Sequence, residues 1–188
     1  VPPSGGFHIN TKQRILMGAF SGMKDAKRGY NSNPLKEGDY VARIDRCDFF
    51  ESQQNGEFYK ITLTLLAGQG AHNEGEVVNV LFGRKHGNTQ FLQNVKTFIA
   101  GVMDVDDSAI GEAETIRTLA EFDGKAGENI LAGLVTRVKA SRRASKKKQE
   151  DGTPYEYSVY SWSPTLTDED IKAALGPERL ARFFPKGL

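Results

Sequence analysis

From Gly38 onward the chain alternates apolar and polar residues with the two-residue period of β-strands. In GDYVARIDRCDFFES the apolar residues Tyr40, Ala42 and Ile44 share one parity, while Cys47 and Phe49 take the other. One extra residue exchanges the two faces of a strand, so the slip predicts a bulge or sharp bend near Asp45. Asn55-Gly56 is a hairpin-turn signal. Beyond it EFYKITLTLLAG alternates cleanly, with Tyr59, Ile61, Leu63 and Leu65 on one face and Phe58, Lys60, Thr62 and Thr64 on the other. GQGAHNEG reads as a loop, and EVVNVLFGRK as a third strand with Val78, Val80 and Phe82 inward. After Gly87 the period becomes helical: Phe91, Leu92, Val95, Phe98, Ile99, Val102 and Met103 form one apolar stripe, with Asn88 or Thr89 as N-cap. An acidic connection follows, holding a second short helix over Glu114 to Phe122. NILAGLVTRVKAS alternates as a fourth strand, placing Ile130, Ala132, Leu134, Thr136 and Val138 against Leu131, Val135, Arg137 and Lys139. The fifth strand is YEYSVYSW, rich in residues of high β-propensity. Two short helices broken at Gly176-Pro177 end the chain, the first capped by Thr167 and started by acids that suit the helix dipole.

Three strands, a helix and two more strands is the element order of the OB-fold, a small Greek-key barrel whose bent first strand serves both halves. The expectation is therefore a mainly β protein: a five-stranded OB-fold barrel with a capping helix between strands 3 and 4. A β-sandwich with an inserted helix has the same order. Residues 1–36, rich in Gly, Ser, Asn and Pro around an apolar ILMGAF, read as an N-terminal arm. Residues 37–163 form the nucleic-acid-binding domain of this scheme and 164–188 a C-terminal helical tail.

Charge adds the functional content. The 188 residues carry 25 Lys+Arg against 24 Asp+Glu. Seven of those cations, with no acid, lie between Arg137 and Gln149, so the rest of the chain is net acidic. A local patch of one sign attracts polyanions without making the whole surface adhesive. On the OB scheme the run 141–154 is the loop between strands 4 and 5, beside the face of strands 2 and 3 where such barrels bind ligands. Four aromatics follow it: Tyr155, Tyr157, Tyr160 and Trp162. Cations follow phosphates, and flat rings stack on unpaired bases at about 1 to 3 kcal/mol per base. The two together suit single strands, whose base faces are exposed; strand parity allows at most half of those rings to stack. The candidate contacts are Arg43, Arg46 and Phe50 on strand 1, Phe58 and Lys60 on strand 2, Arg84 and Lys85 ending strand 3, Arg137 and Lys139 on strand 4, Arg142, Arg143, Lys146, Lys147 and Lys148 in the basic run, and the four aromatics.

The stretch GDYVARIDRCDFFESQQNGEFYKITLTLLAGQG…GEVVNVLFG…TQFLQNVKTFIAGVMDV resembles the phage-encoded single-stranded DNA-binding proteins of OB type. The likeness runs over residues 36–163 and is one of pattern. It implies sequence-independent coating of single-stranded DNA in phage replication, recombination or repair, with Phe58, Lys60 and the basic loop as contacts. RNA is the alternative ligand. Many such proteins end in an acidic tail that recruits partners; RLARFFPKGL is basic and apolar, which puts that mode of recruitment in doubt.

The second expectation is a phage structural or assembly module, with the barrel as a docking platform and self-association through the N-terminal arm or C-terminal tail. No catalytic constellation is evident, so an enzyme is not expected, nor a cofactor. His8, His72 and His86 are scattered, Asp104–Glu112 misses the calcium-loop spacing, and GQGAHNEG lacks the Lys-Ser/Thr of a phosphate loop. Cys47 reads as a small core residue. The lack of a long apolar run or a lone disulfide pair leads to a cytoplasmic expectation, the host cytoplasm for a phage protein.

Overall fold

The computed structural model describes residues 33–52, 56–84, 90–106, 110 and 131–188. Its strands are β1 (Gly38–Ser52), β2 (Gly56–Gly70), β3 (Val77–Arg84), β4 (Val135–Lys148) and β5 (Pro154–Trp162). Helix α1 (Gln90–Met103) stands between β3 and β4, and α2 (Asp168–Phe183) follows β5. The strands form one antiparallel sheet in the order β3-β2-β1-β4-β5. The expected arm up to residue 32, the Asn55 turn position, the caps Asn88 and Thr89, and the helix over Glu114 to Phe122 lie outside the described residues. Among the described residues no helix is long and apolar enough to cross a membrane.

The bend in β1 is where the alternation slips. Register shifts fall between Val41 and Ala42 and between Ile44 and Arg46, so Asp45 has no partner on β2. Tyr40, Ala42, Ile44 and Cys47 are all buried in one cluster, which only a bulge allows across that change of parity. At the same point β4 leaves β1: Ile44 N–H donates to Leu134 O at 2.8 Å and Gly133 N–H donates to Ile44 O at 2.7 Å. Strand 4 therefore starts at Val135, later than the alternation from Ile130 implied, because Leu131–Gly133 turn and Gly133 takes φ 86°.

Among the described residues the sheet is open, with no ladder between β3 and β5, so the mainly β, five-stranded expectation holds and the closed barrel is not seen. Edges β3 and β5 meet through side chains instead, with the Phe82 and Tyr160 rings 6.2 Å apart. Bulky rings between the edges and α1 resting on both of them leave no room for a backbone ladder there. The helix buries Phe91, Val95, Phe98, Ile99 and Val102 as expected. Leu92 and Met103, counted in the apolar stripe, are exposed at its margins.

Close approach fixes α1 against β5. A Cβ at Gly101 would lie 2.8 Å from Trp162 Cβ and 3.0 Å from Trp162 O. Alanine favours a helix over glycine by about 1 kcal/mol, yet overpacking against backbone costs about 1 to 3 kcal/mol. Gly101→Ala is accordingly expected to lower stability by about 1 kcal/mol net, read from the midpoint of urea unfolding; an unchanged or raised midpoint contradicts the close approach.

Two further seats complete the body. Residues 33–36, placed at the end of the arm by composition, sit on it: Leu35 is 2% exposed, and its N–H donates to Asn79 O at 3.0 Å on the edge of β3. Loop residue His72 holds this segment by accepting at Nε2 from Lys36 N–H at 3.0 Å and contacting Glu76 through Nδ1 at 2.7 Å. That contact and two from Asn73 hold the Glu76 carboxyl down at about 2. On the opposite side of the sheet, α2 lays Ile171 and Leu175 over Val41, Leu66 and Val135. Thus Val41 is buried between core residues of the other parity, and β1 is covered on both faces. Thr167 caps α2 through a reciprocal capping box with Asp170, and Gly176 at φ 70° kinks it before Pro177, as the dipeptide implied.

Candidate nucleic-acid interface

The basic run is strand, not loop. β4 continues through Lys148, paired with β5 from Val138↔Trp162 to Ala144↔Glu156, and a register shift precedes Lys148↔Pro154. Only 149–153 turn, closed by Gln149 N–H to Thr153 O at 2.7 Å and by Asp151, which accepts from Thr153 N–H at 2.9 Å. Beyond Ala140 both strands leave the core, and the residues from Arg142 to Ser158 are exposed apart from a half-buried Ser145. The result is a β-hairpin arm. Lys and Ala are poor strand formers, the run has none of the β-branched or aromatic residues that favour strands, and an exposed ribbon has no buried face to impose alternation, so pattern alone gave a loop.

Parity divides the four rings as anticipated, two to each face. Tyr160 and Trp162 turn inward: Trp162 stands edge-on to Phe98 with ring centroids 4.7 Å apart, and burial raises the Tyr160 hydroxyl pKa. Tyr155 and Tyr157 are 52% and 51% exposed. Tyr157 lies directly opposite Arg143 in the ladder, so cation and ring share a face. Both line a groove along the seam between the sheet edges, with Leu81 of β3, Tyr160 and Trp162. Asn94 and Thr97 form its α1 wall. These last residues escaped the sequence reading, although a polar stripe at i and i+3, complementary to the apolar stripe of α1, marks them.

The cations differ in whether the chain already neutralises them. Arg43 donates from Nε to Asp45 Oδ1 at 2.9 Å, and Arg46 pairs likewise with Asp48. Arg142 is held by Glu156 at 2.9 Å. Lys139 has Asp39 at 3.8 Å, both well exposed. Among the described residues Arg143, Lys146, Lys147 and Lys148 make no ion pair, and all four are exposed. Exposed pairs add little stability, but each one lowers the local potential that a polyanion meets.

The structure brings together only part of the expected set. Arg43, Arg46, Phe58 and Lys60 occupy the outer face of β1 and β2. Phe58 lies across β3 at Gly83, where a Cβ would sit 3.0 Å from its ring, so the missing side chain makes room for the ring. Phe50 pairs with Phe58, and Glu57 with Arg84, in the ladders; Lys85 lies outside the described residues. Arg137 and Lys139 face a second groove, between the start of β1, the end of β2 and α2, with Ser161, Ser163 and Arg179.

Burial pushes the Cys47 thiol up to about 12, despite a weak interaction with the Tyr59 hydroxyl that acts the other way. Among the described residues the same hydroxyl, though buried, has no hydrogen-bond partner of ordinary geometry. Among the described residues no three His, Cys, Asp or Glu side chains gather as metal ligands. No protein-family model matches the chain, and no curated protein matches it either, so the reading of the interface rests on the chain's own residues.

Proposed function

We propose that this chain is an OB-type protein that binds single-stranded DNA without regard to sequence, using the β4–β5 arm and the seam groove at its base. The observation that carries the reading is the pairing, on one ribbon, of exposed rings with cations that make no ion pair among the described residues: Arg143 opposite Tyr157, with Tyr155 and Lys146 to Lys148 further out. Phosphates supply affinity at any sequence, and every base offers a face to a tyrosine. Duplex DNA hides those faces, so rings flanking the cations favour unpaired strands. The OB assignment is supported by the strand order, the helix between β3 and β4, the shared and bulged β1, and the approach of β3 to β5 across α1. Coating of single strands in replication, recombination or repair is the role that such binding serves.

The test is titration with oligo-dT, oligo-U and a duplex over a range of salt. The expected log-log slope is about −2 to −4, from three to five phosphate contacts at about −0.7 each. Oligo-dT should bind far better than duplex, and oligo-U separates DNA from RNA. Trp162 lines the groove and serves as the fluorescent reporter. A salt-insensitive interaction, or no affinity for oligo-dT, removes the proposal.

A further inference from the structure

Resting on that reading, we infer that the single strand runs lengthwise along the outward face of the β4–β5 ribbon, phosphates over β4 and bases over β5, rather than across the outer face of β1, β2 and β3. The strand then enters the second groove, beside α2, as well as the seam. Each row of the ribbon has a distinct chemistry. On β4 the outward residues are Arg137, Lys139, Ser141 and Arg143, alternating with buried Val138 and Ala140. Opposite them on β5 the ladder sets Ser161 against Lys139, Val159 against Ser141, and Tyr157 against Arg143. Ser163 continues the row, its N–H donating to Arg137 O at 3.0 Å. One lane is thus cationic and the adjacent lane runs from small hydroxyl residues to rings.

Outward residues of a strand repeat every ~6.6 Å, and Arg137 to Arg143 spans about 20 Å. Successive phosphates of an extended single strand are spaced on the same scale, so cations on one strand face can meet consecutive phosphates without bending the ligand. The outward row of β5 borders both grooves: Ser161 lines the one beside α2, and Val159, the next outward residue, lines the seam groove. Among the described residues three acids stand near the lane: Asp39 is 3.8 Å from Lys139, Glu37 accepts from Arg142 N–H at 3.3 Å, and Asp170, which feels Arg137, is committed to the Thr167 cap that lowers its pKa. By contrast, the competing face holds Arg43 and Arg46 each on its own aspartate.

The experiment uses the full chain and labelled oligo-dT, read by anisotropy at several salt concentrations. Arg137→Ala with Lys139→Ala removes two exposed side chains, and circular dichroism checks that the fold persists. Affinity should fall about tenfold near 0.15 M salt, and the salt slope should flatten by about 1.4. Ser141→Lys fills the gap in the lane and should tighten binding and steepen the slope by about 0.7. Lys60→Ala is the competing arm. If wild type binds while the double variant keeps both affinity and slope, or if Lys60→Ala costs more than the double variant, the lengthwise path is overturned and the binding function stands. Should wild type not bind oligo-dT at all, the functional reading falls and takes the path with it.

Discussion

Reversing three charges near the arm's tip, with Lys146→Glu, Lys147→Glu and Lys148→Glu in one chain, should weaken binding to oligo-dT at least about a hundredfold near 0.15 M salt. Three attractive contacts become three repulsions, and none of these lysines is neutralised within the described residues. The fold should be indifferent, because the side chains are exposed and the turn is held by Asp151 and Thr153 instead. A neutral companion, the same three positions changed to Gln, separates charge from shape: its salt slope should be about 2 units flatter than that of wild type, with a smaller loss of affinity. Sedimentation of both variants without DNA addresses the assembly alternative. An assembly module would keep its function, and an interface through the lysines would change its mass. Unaltered affinity in the Glu variant overturns the arm as the binding element.

How far this site was legible depended on burial. Wherever one face of a strand is buried, packing enforces the two-residue period and the residues reveal it: Tyr59, Ile61, Leu63 and Leu65 are all buried, as their alternation implied. Even the slip at Asp45 was readable, because Cys47 had to return to the core. The arm was not. Its register is inherited from core pairs such as Val138 with Trp162 and carried outward by the ladder, and ASRRASKKK has no preference of its own to announce it. Closure of the sheet was not legible for a related reason. Element order specifies which strands are neighbours, but whether the last two edges join depends on the volume of the side chains between them, here Phe82, Tyr160 and Trp162. Ion pairing was invisible as well, since Arg43 and Arg46 reach acids only two residues away, and sequence spacing does not distinguish them from Arg143 and Lys146 to Lys148, which make no ion pair among the described residues.

The seam makes Phe98 the core residue whose loss should matter most. Its ring packs edge-on against Trp162 with centroids 4.7 Å apart and against Tyr59 at 6.1 Å, so it ties α1 to both β5 and β2. Backbone hydrogen bonds cannot substitute, because β3 and β5 share none. Phe98→Ala removes a wholly buried ring, which costs about 3 to 5 kcal/mol by transfer and cavity terms together. A smaller loss is expected from Phe98→Leu, which fills more of the space. The effect should extend beyond stability. Trp162 and Tyr160 form the inner wall of the seam groove, and without the ring beneath them the base of the arm loses its fixed seat. At a temperature where Phe98→Ala is still folded, oligo-dT affinity should fall severalfold while the salt slope stays as in wild type, because no cation has been touched. A variant that loses stability yet binds with unaltered affinity would mean that the arm holds its position independently of the helix.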